Sequence, residues 1–290
     1  MTNDAIRDDL FREAVEAIDA GNLPVLQQLL LDHPQLVSHP LELPQEGYFR
    51  HPWLLWFIAD NPIRHGKLPA NIVEITRTII TFLQHVSPQH FQAQIDYTLG
   101  LVVTGKTPLK CGVQVALIDL LIDAGARVGN GHDAIANGNL AAAKRLIERG
   151  GALTLATAVC LGLAEDIARL LKESGSADRE TALAAAAFYG KADMVKFIVA
   201  SGVDVNAYPA ASSGFHHHAT ALHQAVSSGS LETVQLLVTA GAGLMLQDKV
   251  YHGTPLDWAK HMQKEQNDET AARNYAAIEK YLAGEDKMRG

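Results

Sequence analysis

Three consecutive histidines, His216, His217 and His218, follow Phe215 in a segment that opens at Tyr208 and is rich in alanine, serine and glycine. Neutral imidazole is a common metal ligand and titrates near neutrality, so the triplet is the first place to look for chemistry. Downstream, Tyr251 and His252 stand in a second loop, Gln247-Asp248-Lys249-Val250-Tyr251-His252-Gly253. Three readings are open. His216, His218 and His252 could converge on a metal ion. Neighbours on an extended segment point to opposite sides, however, so at most two of the triplet can face one ion, and neither a cysteine nor an H-x-x-x-H helix accompanies them. The histidines could instead pack on the next loop and hydrogen-bond its backbone. Or Tyr208, Phe215, His216, His217, His218, Tyr251 and His252 could form a partner-binding set, since aromatic and imidazole groups offer large contact area with few torsions to freeze.

A second unusual stretch holds Tyr48, Arg50 and His51 ahead of Trp53, Trp56 and Phe57, with Arg64 shortly after. The large rings could fill the core of an atypical unit with longer helices than usual, or the cationic residues could face an acidic partner. Nothing resembles a nucleophile elbow, a phosphate loop or a dinucleotide fingerprint. Asp8, Asp9, Glu13 and Glu16 read as solvated charge. No catalytic residue, enzyme activity, resident metal or cofactor is therefore expected.

The 290 residues carry a formal charge of −8, which works against a phosphate-rich partner and excludes nucleic acid from the expected ligands. Cys111 and Cys160 lie in apolar stretches without paired spacing and read as core thiols. The start is acidic and polar, unlike a secretory signal. The most apolar run, Ala152 to Ala164, is about 13 residues, short of the roughly 20 a membrane span needs. A reduced, cytoplasmic, monomeric protein without membrane contact is expected.

The elements that position these residues emerge from an internal repeat. Gly138 to Gly150, Gly190 to Gly202 and Gly229 to Gly241 superimpose without a gap. Between the glycines, apolar residues such as Leu231, Val234, Leu237 and Val238 recur at helical spacing. The closing glycine suits a helix C-terminus and the opening one a tight turn from a preceding helix. That helix is alanine-rich, as in Thr181 to Ala187, and small residues allow close approach of neighbours. Counted from the opening glycine, units begin at Gly21, Gly66, Gly105, Gly138, Gly162, Gly190 and Gly229, spaced by 45, 39, 33, 24, 28 and 39 residues, with an eighth pair closing the chain. The two short units, 138–162 and 162–190, leave almost no room for a connecting finger.

Thr220-Ala221-Leu222-His223-Gln224-Ala225 and Thr254-Pro255-Leu256-Asp257-Trp258-Ala259 resemble the ankyrin signature T-P-L-H-x-A, and Gly202-Val203-Asp204-Val205-Asn206 resembles the family's turn into its finger loop. The resemblance implies an all-α ankyrin-repeat solenoid of about eight helix pairs with short β-finger loops. It is expected to form one domain over 1–290: divergent units over 1–130, short units over 131–180, regular units over 181–260 and a capping helix over 261–290. It also implies that His223 hydrogen-bonds within and between turns. Asp257, in the matching position of the last unit, departs from the pattern as a capping carboxylate or a relaxed turn. The function it implies is binding of a protein partner, as a scaffold, on a concave groove and finger rim. The rival is a small-ligand or metal-dependent enzyme built on the histidine-rich finger at 216–218 and 252.

Overall fold

The computed structural model describes residues 6–42, 51–265 and 267–289. The described residues contain helices and no strand. They group into two compact units, Met1–Gly129 with Ala141–Gly151, and Asn130–Leu140 with Ala152–Gly290. No helix among them is long and apolar enough to cross a membrane.

In the first unit, α1 (Asp9–Ala20) starts where the Asp8 carboxylate accepts the Phe11 N–H at 3.0 Å and stops at Gly21. Phe11, Val15 and Ile18 share one face and are buried, and α2 (Leu23–Asp32) folds back on them. Pro34, at φ −62°, opens a single turn, α3 (Gln35–Ser38), which buries Leu36 and Val37. A 3₁₀ turn at Leu54–Ala59 then sinks Leu54, Leu55, Phe57 and Ile58 into the core, where Phe57 meets Phe11 edge-on at 5.5 Å. Trp56 is half-buried and stacks on Tyr97 at 4.0 Å. The long helices are the next two, α4 (Ile72–Val86) and α5 (Pro88–Thr104).

Gly105 does not make the left-handed turn its place in the repeat frame suggests. Its φ is −71°, and a Cβ there would lie 2.7 Å from the Leu101 carbonyl oxygen, so close backbone approach is what requires glycine. The short helix α6 (Lys106–Lys110) and α7 (Gln114–Asp123) follow. Next come α8 (His132–Ala136), in the second unit, and α9 (Leu140–Glu148), which lies in the first unit from Ala141 onward. Arg145 and Arg149 of α9 clamp Asp119 of α7, at 2.7 and 3.0 Å from Arg145 and 2.7 Å from Arg149. The Arg145 hydrogen bond is the chief cause that holds the Asp119 carboxyl below the usual carboxylate range.

The second unit is a stack of helix pairs. Its inner helices are α8, α10 (Leu155–Leu161), α12 (Ser176–Phe188), α14 (Ala221–Ser227) and α16 (Pro255–Glu265), each packed on the next. The outer helices are α11 (Ala164–Glu173), α13 (Ala192–Val199), α15 (Leu231–Thr239) and α17 (Glu269–Arg289). Ala182 and Ala184–Ala187 of α12 are buried between neighbours on both sides, which explains the run of the smallest side chains. Gly190 turns the chain at φ +60°, and a Cβ there would sit 3.1 Å from that of Ser230, so a larger residue would suffer both backbone strain and a clash with the following unit.

The short units do lack fingers. Only Ser174 and Gly175 separate α11 from α12, and α12 begins early. Thr181, aligned with the signature threonines, therefore lies inside the helix and bonds the Ala177 carbonyl at 2.8 Å instead of capping. Between α11 and α13 lies a cleft of about 700 Å³ lined by Ile167, Met194 and the exposed Phe197. At the end of the stack Asp268 accepts the Ala271 N–H at 2.8 Å and starts α17, whose Tyr275, Ile278 and Leu282 are buried along one stripe.

Candidate partner-binding surface

The finger ahead of α14 and the loop ahead of α16 are joined by polar contacts that begin at a helix cap. Thr220 precedes α14, and its N–H donates to His223 Nδ1 at 3.3 Å, while the hydroxyl lies 2.8 Å from the same nitrogen. The other ring nitrogen, Nε2, donates to the Gly253 carbonyl of the next loop at 3.0 Å. One imidazole thus closes its own turn and fastens the neighbouring one, as the resemblance implied. Asp257 does the first half of this work in the last unit. Its Oδ2 accepts the Thr254 N–H at 3.0 Å and hydroxyl at 2.7 Å, and Thr254 Oγ1 accepts the Asp257 N–H at 3.3 Å. It is a reciprocal cap.

The loop ahead of α16 is organised by Asp248, which is almost fully buried. Oδ1 accepts the N–H groups of Val250 (2.9 Å) and Tyr251 (2.6 Å), and Oδ2 accepts those of Gly253 and the Trp258 indole, each at 3.0 Å. Burial alone would raise its pKa, but these donors hold it at about 2. The tip that results, Val250-Tyr251-His252, is presented outward: Tyr251 is 76% exposed and Val250 56%. His252 completes it with a left-handed φ of 56°. The two loops are tied side by side, because Lys249 N–H donates to the His218 carbonyl at 2.8 Å, Tyr208 donates to the Gln247 carbonyl at 2.6 Å, and the Lys249 ammonium lies 4.2 Å from the Tyr208 ring centre.

The remainder of the enlarged finger goes elsewhere. It folds back across the inner helices to α8. His132 Nδ1 donates to the Ser213 carbonyl, His132 Nε2 faces the Thr154 hydroxyl at 2.7 Å, and His216 Nε2 donates to the Ala136 carbonyl at 3.0 Å. Phe215 is fully buried, edge-on to Phe188 at 5.8 Å. Among the described residues, no group of three or more His, Cys, Asp or Glu side chains is placed to hold a metal ion. His216 and His218 stand 6.0 Å apart between ring centres, nearly perpendicular, with His216 bound to backbone.

Family models described as ankyrin repeats match residues 131–209 and 183–238, the stretch that contains α8 to α15. Residues 131–238 are a run of ankyrin repeats. Among solved structures, the human ASB11 ankyrin repeat domain is similar at 21% sequence identity, over 69% of this chain and 92% of that one, with a TM-score of 0.33. No curated protein matches the chain.

Seen as ankyrin fingers, the loops explain the family's asparagine as well. Asn206 reaches the following repeat, accepting from Gly243 N–H at 2.7 Å and donating to the Gly241 carbonyl at 3.3 Å. Of the seven residues expected to meet a partner, Tyr251, His252 and His217 are exposed, and Tyr208 and His218 are half-buried beside them. Phe215 requires correction: a ring wholly enclosed by the core offers a partner no area. His216 is half-buried and engaged with α8, so it belongs with Phe215. Arg64 also leaves the proposed cationic patch, since its guanidinium is fully buried in the first unit. Tyr48 and Arg50 lie outside the described residues. Sequence reasoning passed over Lys249 and Val250, which were in view as neighbours of Tyr251, and His132, for which no local signal exists.

Three ankyrin histidines share one electrostatic condition. Burial lowers the pKa of His216, His218 and His223, in His218 and His223 against the opposing pull of Asp248. The unfolded chain then binds protons more readily than the folded one below the ordinary histidine pKa of about 6.5, so this stability is present above that pH and declines as pH falls through it. The melting temperature should drop between pH 7.5 and pH 5.5, well above the range where Asp248 titrates. NMR titration should place the three imidazoles below the ordinary value. A flat melting profile over that interval would contradict the burial.

Proposed function

We propose that the chain binds a protein partner on the rim formed by Tyr208, His217, His218 and the tip Lys249–His252, without catalysing a reaction. Ankyrin repeats are in general protein-interaction modules, and the choice of surface rests on one observation: Tyr251 and Val250 stand exposed on a tip that Asp248 fixes through three backbone N–H groups. A large ring already held in place loses little entropy on binding, which favours affinity over mere contact area. The fold by itself leaves the site open.

Affinity capture from native cell extract tests this. The variant H217A/Y251A/H252A alters only exposed side chains and should leave the circular dichroism spectrum intact while reducing recovery of the partner by roughly tenfold or more, the loss of one anchor worth about 1.4 kcal/mol. Equal recovery by wild type and variant would sink this choice of surface.

A further inference from the structure

Between the exposed tip and α16 lies a cleft of about 510 Å³, lined by Tyr251, Gly253, Asp257, Trp258, His261 and Met262. Its volume is within the range of sites that enclose a small group. Two aromatic residues and a thioether supply apolar wall, and the carboxylate among the lining residues is Asp257. Hydrogen bonds from Thr254 keep that carboxyl below the usual carboxylate range, with a contribution from Lys260, so it is ionised at neutral pH.

A second carboxylate stands behind the wall. Trp258 donates its indole N–H to Asp248 at 3.0 Å. An indole whose N–H points at a fixed anion gains electron density in its ring system, and Trp is already the aromatic that attracts cations best. The cleft therefore combines a polarised indole, an exposed phenol and an exposed carboxylate. Methylenes can lie along such rings while a terminal charge reaches the acid. An anionic group would meet the carboxylate of Asp257 and, behind the wall, that of Asp248, with Lys260 the nearby opposing charge. The chain's formal charge of −8 favours a basic partner in the same sense.

We propose that this cleft receives a lysine or arginine side chain from a basic segment of the partner. The proposal rests on the finger-rim reading and specifies the chemistry of what the rim recognises. The cationic head sits against Asp257 and the Trp258 face, with Tyr251 closing over the aliphatic stem.

The test uses the full chain and three fluorescent nonapeptides of Gly and Ser with lysine, acetyl-lysine or glutamate at three positions, followed by anisotropy at low salt. Wild type should bind the lysine peptide and neither of the others. Y251A and D257N should each weaken that binding roughly tenfold, equivalent to about 1.4 kcal/mol. D193N, which removes a charge on α13 away from the cleft, should bind as wild type does. Because Asp257 also caps α16, the exposed Tyr251 variant keeps the test valid should D257N misfold. The cleft proposal is overturned by absence of lysine-peptide binding, by equal binding of the acetylated peptide, by wild-type affinity in Y251A, or by a matching loss in D193N. Failure of the rim reading is separately visible: partner capture would then survive the triple variant H217A/Y251A/H252A. Lost capture in that variant, together with no preference for lysine, rejects the cation and keeps the rim.

Discussion

Replacing Phe215 by alanine is expected to destabilise the second unit by about 3–5 kcal/mol, the usual cost of emptying a phenylalanine site in a packed core. The ring is fully buried and meets Phe188 and His216 at 5.8 and 4.8 Å, so its removal takes away apolar burial and leaves a cavity that the hydrogen-bonded backbone on either side resists closing. Since whole domains are stable by only about 5–15 kcal/mol, the effect would dominate urea unfolding followed through Trp258. Hydrogen exchange should rise first over 208–218 and α8, which the finger covers. Y251A offers the contrast, because a ring that is 76% exposed should change stability by about 0.5 kcal/mol or less. If Phe215→Ala unfolds at the wild-type urea concentration, the finger is not part of the core.

This expectation reverses the one that loop composition encourages. Phe215 follows Ser212-Ser213-Gly214 and precedes three histidines, the company of a surface loop. The loop that carries it is held down by a residue far away in the chain: His132 and Ser213, joined by a ring nitrogen and a carbonyl, are 81 positions apart. Local pattern cannot report such a contact. The repeat frame was legible for the opposite reason. A left-handed turn such as the one at Gly190 must be made by residues adjacent in sequence, and so its glycine is visible there. His223 was legible too, since its first bond closes a turn of its own helix, three residues from Thr220. Gly105 shows the limit of the repeat frame, being a glycine in the right place for a different steric cause.

Two features that looked unrelated in the sequence have one explanation. The units at 138–162 and 162–190 are too short to carry fingers, and the finger at 208–218 is too long for its own repeat. In the folded unit the surplus of one reaches back to α8, where Ser213 and His216 bond His132 and the Ala136 carbonyl, while Phe215 packs beside Phe188 of α12. The exposed part of the same finger is its far end, where His217 and His218 adjoin the tip held by Asp248. The histidine triplet is divided between structure and surface at a single peptide bond.

Arg64→Ala is expected to cost the first unit about 3–5 kcal/mol, the penalty for leaving one member of a buried ion pair alone. The guanidinium makes a two-pronged contact with Asp19 of α1, at 3.0 Å from Nε and 2.6 Å from Nη2, and also donates to the carbonyls of Phe57 at 2.9 Å and Pro62 at 3.2 Å. It lies 5.0 Å from the centre of the Phe57 ring. Its planar fork satisfies four acceptors at once, which an ammonium cannot do, so Arg64→Lys should also lose stability. Asp60, adjoining the 3₁₀ turn, pins the same loop by accepting from the N–H groups of Arg64 and Gly66 and from the Thr107 hydroxyl, each at 3.0 Å. Trp53 and Trp56 fall in this unit and Trp258 in the other, so a W258F background lets fluorescence follow the first unit alone. In that background the double variant D19A/R64A should lose less than the sum of its single variants, since each single change removes the other's closest partner and leaves Asp60 at 4.0 Å from Arg64 or His65 at 3.2 Å from Asp19. Additive losses would mean that the two charges stabilise the unit independently, and the loop after Phe57 would then owe its position to Asp60 rather than to the pair.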